Sequence, residues 1–171
     1  MPRMPIPPRP TQYIVMPPGH GKTVLHGMMG CVFEVDQIVG TRETAELSDL
    51  RDKAKESGTW DEYDTCRGKL LAKKAPPHSI IMVQSYKTGE AAGFHLLASV
   101  YLEKLVWEAN LRNRKGSVEE YYSCWEAVKR NNGYFSMNNK DTTCYITNVV
   151  DAFLELSPLG HRRECVHGCC N

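Results

Sequence analysis

The chain has 171 residues, 42% of them hydrophobic and 24% charged, with a formal net charge of +1 at pH 7. That length suits one domain with a full core, and that composition excludes wholesale disorder. The balanced charge excludes bulk electrostatic recruitment of nucleic acid or a membrane surface, and no apolar run approaches the ~18–20 residues of a membrane span, so no membrane partner is expected.

Residues 1–10 hold five prolines and two arginines. Such a stretch favours extended polyproline II over helix or central strand, so residues 1–11 are read as a proline-rich arm. The arm is either a plain terminus or a tether for an assembly partner. Its start has no apolar segment of the secretory kind. Thr11 to Met16 is a short β-rich run that enters a Gly loop at Pro17-Pro18-Gly19. A short helix from Lys22 to about Met29 follows. Cys31 to Val39 alternates apolar and polar residues, which predicts a second strand with Asp36 near its C-terminal end. On that reading Glu34 and Asp36 share one side of the strand.

Residues 41–74 are predicted helical, with Thr41 as N-cap and Gly58 dividing two helices. Pro76-Pro77 stops the second. His78 to Ser85 is an apolar third strand, and Lys87-Thr88-Gly89 reads as a loop. Phe94 to Leu102 is a fourth strand or the start of a long helix, with β-branched and aromatic content favouring strand. Glu103 to about Arg114 is helical. Ser117 and Glu120 have capping-box spacing for the next helix, which stops at Asn131-Asn132-Gly133. Tyr134 to Met137 is a fifth strand, and Thr147 to Leu156 a last helix. Strands alternating with helices predict an α/β domain over 12–157, a three-layer α/β/α sandwich around a mostly parallel five-stranded sheet.

The chemistry concentrates in Met16-Pro17-Pro18-Gly19-His20-Gly21-Lys22-Thr23. Strand, Gly loop, Lys-Thr and helix form the context of a phosphate-binding loop. Backbone N–H groups face the anion, and glycines allow close approach. Pro18, Gly19, His20, Gly21, Lys22 and Thr23 are therefore the candidate phosphate-binding residues. Lys22 would reach the outer phosphates of ATP or GTP, and the Thr23 hydroxyl would bind Mg²⁺. Met16 replaces the first glycine of the G-x-x-x-x-G-K-[ST] pattern. Only eight residues, Val24 to Cys31, separate Thr23 from Val32, so the helix after the loop has at most about two turns. No Asp follows the third strand, where Gln84 and Ser85 stand.

The loop with its strand and helix, Phe33-Glu34-Val35-Asp36-Gln37-Ile38, the Leu111-to-Gly116 basic segment and the Tyr134–Leu156 closing region together resemble the P-loop kinases. That group includes nucleoside monophosphate, shikimate, gluconate and polynucleotide kinases. The resemblance spans roughly residues 12–156 and rests chiefly on the loop. It implies ATP-dependent phosphoryl transfer to a nucleotide, a nucleic-acid end or a small hydroxyl acceptor. It casts Asp36 as a carboxylate beside the acceptor hydroxyl, with Asp36 and Thr23 as Mg²⁺ ligands. Arg112 and Arg114 would be lid cations that neutralise the moving charge. The rival reading is a nucleotide-binding but catalytically degenerate subunit of a larger assembly such as a virus particle. A nucleotide switch module is a third.

Arg42 and Arg51 are candidates for an acceptor phosphate. Trp60, Trp107, Trp125, Tyr121 and Tyr122 are read as packing residues, with a base-stacking platform as the alternative for one or two. The tail, 158–171, is rich in Cys and His. Cys165, His167, Cys169 and Cys170 are zinc ligands by type but tightly spaced, so a reduced tail is the preferred reading. Seven cysteines, an odd number scattered through apolar segments, point to reduced thiols and a cytoplasmic setting, or a virion-associated one under the rival reading.

Overall fold

The computed structural model describes residues 9–112 and 119–155. Its elements run β1 (Gln12–Val15), α1 (Lys22–Met28), β2 (Val32–Glu34), α2 (Val35–Ile38), α3 (Ala45–Ser57), α4 (Asp61–Lys74) and β3 (Ile80–Val83). They continue with α5 (Tyr86–Ala91), β4 (His95–Leu102), α6 (Lys104–Arg112), α7 (Glu119–Arg130), β5 (Tyr134–Ser136) and α8 (Asn139–Glu155). The five strands form one sheet in the order β2-β3-β1-β4-β5, and every pairing is parallel. The expected three-layer α/β architecture is therefore present.

Strand alternation divides the core. Ile14, Ile80 and Met82 point to one face, where Leu25 of α1 and Ile146, Val150 and Phe153 of α8 cover them. Tyr13, Val15, Ile81 and Val83 point to the other, under Leu47 of α3, Tyr63 and Leu71 of α4 and Val128 of α7. β3 is buried along its whole length and β1 at every residue after Gln12, as befits central parallel strands. Each buried Ile, Leu or Val contributes about 1.5–3 kcal/mol of apolar transfer.

The chain leaves β1 toward β2 on the α1 face and leaves β3 toward β4 on the opposite face, through α5. The two connections diverge between β1 and β3. In open parallel sheets such a divergence leaves a crevice at the carboxyl ends of the strands, where ligands bind.

Several elements depart from the sequence reading. β2 ends at Glu34, and Asp36 lies in the first turn of α2, so Glu34 and Asp36 do not share a strand face. Thr44, not Thr41, caps α3, its hydroxyl accepting from the Leu47 amide at 3.0 Å. The Lys87-Thr88-Gly89 stretch is helical in α5, where Thr88 and Gly89 are buried. α8 begins at Asn139 rather than Thr147, so Asp141-Thr142-Thr143 belongs to it. The Asn138 side chain accepts from the Asp141 amide at 2.9 Å and fixes that earlier start. Among the described residues, no helix is long and apolar enough to cross a membrane.

Candidate phosphate loop and acceptor cavity

The loop between β1 and α1 lies at the crevice. Gly19 and Gly21 have φ of +84° and +83°, with His20 between them at negative φ. That alternation suits glycine at both positions and turns successive amides into an anion-binding concavity. A Cβ on Gly19 would meet Leu111 Cδ2 at 3.0 Å, so the close approach of α6 also favours glycine. Met16 has no such need. Its side chain is fully buried in the core, its φ is not positive, and its amide donates to Val83 O at 2.9 Å. The missing first glycine thus leaves the loop's path intact.

Lys22 is only 5% exposed. Its Nζ donates to Met16 O at 2.9 Å and Pro17 O at 3.0 Å, which holds the ammonium across the base of the loop. The Thr23 hydroxyl donates to Glu34 Oε2 at 2.9 Å, and Glu34 is 6% exposed at the end of β2. His26 Nδ1 accepts from the Glu34 amide at 3.2 Å and pins that turn. The carboxylate beside the Thr23 hydroxyl is therefore Glu34, not Asp36. Thr23 and Glu34 are hard oxygen donors suited to Mg²⁺, which takes one or two protein ligands and fills its shell with water and phosphate oxygens. Among the described residues no three His, Cys, Asp or Glu side chains gather as a metal cluster.

His20 does not face a phosphate. It is 2% exposed, its ring lies 3.3 Å from Pro18 O through Nδ1, and Nε2 accepts from the Leu102 amide at 2.9 Å. Burial, with Lys22 adding repulsion, lowers its pKa to about 3, so it is neutral and structural. Two α6 residues complete the brace: Trp107 Nε1 donates to Pro18 O at 2.7 Å, and Asn110 Nδ2 to Gly19 O at 3.0 Å. Trp107 in turn stacks on Trp125, with 5.8 Å between ring centroids, which supports the packing reading for both.

Arg112 is exposed at the C-terminal end of α6, the helix that braces the loop. Arg114 and Ser117 lie outside the described residues, as do residues 1–8 of the arm and the tail 158–171.

A cavity of about 610 Å³ opens beside the loop, over the ends of β1 and β3. Val15 and Pro18 form its loop side, Gln84 and Ser85 its β3 side, and α2, α3, α4, α5, α7 and the turn before α4 supply the remaining walls. Asp36 lines it but is ion-paired with Arg67, whose Nη2 also donates to Val39 O at 2.7 Å. Arg67 is 3% exposed. Arg51 lines the cavity, whereas Arg42 pairs outside it with Asp52 at 2.6 Å.

A carboxylate from α4 stands beside the end of β3. Asp64 Oδ2 accepts from Ser85 Oγ at 2.9 Å and lines the same cavity. Burial raises its pKa to about 6, against the lowering effect of the Ser85 hydrogen bond and Arg67. Cys124 of α7 also lines the cavity. Burial, with Asp64 adding repulsion, pushes its thiol up to about 11, so it is no nucleophile at neutral pH. Asp64, Arg67 and Glu34 were outside the sequence-based site. The i, i+3 spacing of Asp64 and Arg67 was the available signal for a shared helical face. The chain matches no protein-family model, no curated protein and no solved structure.

Proposed function

We propose that this chain is a small phosphotransferase that binds a nucleoside triphosphate, ATP or GTP, on the 16–23 loop. It passes the terminal phosphoryl group to a hydroxyl in the adjoining cavity. The observation that carries this reading is the juxtaposition beyond β1 of a two-glycine concavity, the buried Lys22 and the Thr23–Glu34 pair. Phosphoryl transfer asks chiefly for positioning and charge neutralisation.

The loop amides and Lys22 hold the β- and γ-phosphates. Thr23 and Glu34 are the residues that would hold Mg²⁺, which supplies further neutralisation of phosphate charge. Asp64 takes the acceptor's proton, since a carboxyl titrating near 6 is a competent base at neutral pH. The acceptor oxygen bonds to the γ-phosphorus, the bond to the diphosphate breaks, and the proton goes to Asp64. Asp36 holds Arg67 in place instead of acting as the base. Arg112, exposed at the C-terminal end of the loop-bracing helix, covers the transferred group. Arg114 keeps the same role only as a sequence expectation.

Incubation with γ-labelled ATP, Mg²⁺ and a panel of hydroxyl acceptors, water included, tests this. Transfer or slow hydrolysis is expected, falling about 10²-fold or more in Lys22→Ala. Binding without any turnover would overturn it in favour of a second reading, a nucleotide-binding structural subunit. The absence of a carboxylate directly after β3 favours that second reading.

A further inference from the structure

The two ends of the sheet are finished differently. β2 closes one end with three residues, two of them buried, and turns at once into α2. β5 closes the other end, and among the described residues no strand pairs with its outer side. Tyr134 is 43% exposed, Phe135 45% and Met137, just after the strand, 64%. Among the described residues six large apolar side chains are exposed. Five of them, Leu96, Leu105, Tyr134, Phe135 and Met137, lie on β4 or β5 or within three residues of their ends.

Edge strands of soluble proteins are commonly guarded by a charge, a proline or a bulge. Here the guards are missing. From Asn131 to Asn139 the chain has no charged residue and no proline, and the β4–β5 register runs without a shift. The backbone is also presented. Glu103 N donates to Ser136 O at 2.7 Å, so the peptide groups of Ser136 face β4. Alternation along the strand then turns the amide and carbonyl of Phe135 outward, where they form a template for another strand. The flanking rings are held in place beforehand. Tyr134 stacks on Tyr145 of α8 with 3.8 Å between centroids, and Phe135 leans on Tyr101 at 5.4 Å. Little side-chain entropy is left to lose on docking.

We propose that β5 pairs with β5 of a second copy of this chain, antiparallel about a two-fold axis at Phe135, which joins two five-stranded sheets into one of ten strands. A two-fold axis lets one patch serve both copies, and two identical edges related by it pair antiparallel. Phe135 then exchanges both backbone hydrogen bonds with its counterpart. The five apolar side chains expose roughly 500 Å² per copy, about 1,000 Å² for two, and the strand backbone adds to this. That reaches the lower bound of specific interfaces, so a dissociation constant of about 1–100 µM is expected. The edge lies two strands from β1 and its loop, so the proposal does not rest on the phosphotransferase reading.

Sedimentation equilibrium of the full chain from about 1 to 500 µM reads the mass, and amide hydrogen exchange resolved to single residues reads the edge. The mass is expected to approach twice that of one chain at the upper end. The Phe135 amide should exchange severalfold more slowly there than at the lower end, while Ser136, whose peptide groups face β4, changes little. Met137→Lys and Phe135→Lys should each weaken self-association at least about tenfold by guarding the edge with a charge. Met137→Lys alters an exposed side chain and should keep the unfolding midpoint of the dilute native chain, which separates lost pairing from lost fold. Val24→Lys, on the exposed face of α1, should leave the mass curve unchanged. A single-chain mass at every concentration overturns the proposal, whether the edge is solvated or covered by another part of the same chain. So does a dimer that both β5 lysine variants leave intact, or one that leaves the Phe135 amide unprotected, since its contact then lies elsewhere.

Discussion

The loop and the cavity lie side by side at the carboxyl ends of the central strands, yet they are built on opposite principles. In the loop the polar groups are matched. Pro18 O, Gly19 O, Met16 O and Pro17 O all accept from Trp107, Asn110 or Lys22, and His20 is buried neutral between Pro18 and Leu102. In the walls of the cavity they are left poised, with the Nε atoms of Arg51 and Arg67 unpartnered among the described residues and Asp64 held near a pKa of about 6. A braced loop beside a chamber with unmet electrostatic needs is what the proposed reading asks for, one bound group fixed and a second ligand received beside it. Perturbed titratable groups in a cleft cluster at functional sites.

The largest expected effect breaks the rigid half. Trp107→Ala removes a fully buried indole and the donor to Pro18 O, and should cost about 3–5 kcal/mol in denaturant unfolding. Trp107→Phe should recover most of that while still weakening nucleotide binding, which separates bracing from packing.

Next comes the ion pair that joins α2 to α4. Asp36→Ala leaves Arg67 buried without its carboxylate and should cost about 2–4 kcal/mol, below the fully buried range because Asp36 is 35% exposed at its side chain. Asp36→Asn, which keeps an oxygen acceptor, should cost less. Were Asp36 an unpaired base, both variants would fold as well as the native protein.

The poised half should respond in the reverse direction. Asp64 titrates at about 6 in the folded chain against an ordinary 3.8, so the native state holds an extra proton between those values and stability falls as pH rises through them. Asp64→Asn should therefore stabilise the protein by about 1–2 kcal/mol above pH 6 and by nothing below pH 4, while turnover drops. His20 has the opposite sign. Its folded pKa of about 3 lies below its ordinary 6.5, so its stability is present above 6.5 and lost as pH falls. In the native protein the two slopes oppose between pH 4 and 6. In Asp64→Asn the His20 slope stands alone, and stability should rise steadily with pH across that window.

The smallest expected effect is Asn110→Ala. It removes the hydrogen bond to Gly19 O together with the exposed amide pair to Asn139 and should cost about 0.5–1.5 kcal/mol, with a larger proportional loss in nucleotide affinity than in stability.

The same contrast explains what could be read from the sequence. The loop is a contiguous string between a strand and a helix, so its glycines, Lys22 and Thr23 announce themselves. The sheet was legible from alternating elements, and Gly58 stands at the C-terminus of α3 in the left-handed conformation. The cavity is assembled from α2, α3, α4, α5, α7 and the end of β3, which no local pattern joins. Asp64 and Arg67 look like ordinary surface charges of a polar helix until α4 is laid across the sheet. The β2–α2 boundary was hidden because Val32 to Ile38 alternates like a strand while only its first three residues pair with β3. α5 was missed because its helix depends on packing: Thr88 and Gly89 are buried, and a side chain on Gly89 would collide with the Tyr13 ring.

Thermal unfolding of the native chain and of Lys22→Ala, each with and without Mg-ATP, Mg-GTP and their non-hydrolysable analogues, tests the central claim most directly. A nucleotide at about 100 times its dissociation constant should add about 2.7 kcal/mol to the native chain and nothing to the variant. An unchanged midpoint with every nucleotide, in a properly folded sample, would contradict the account and leave the loop a structural turn.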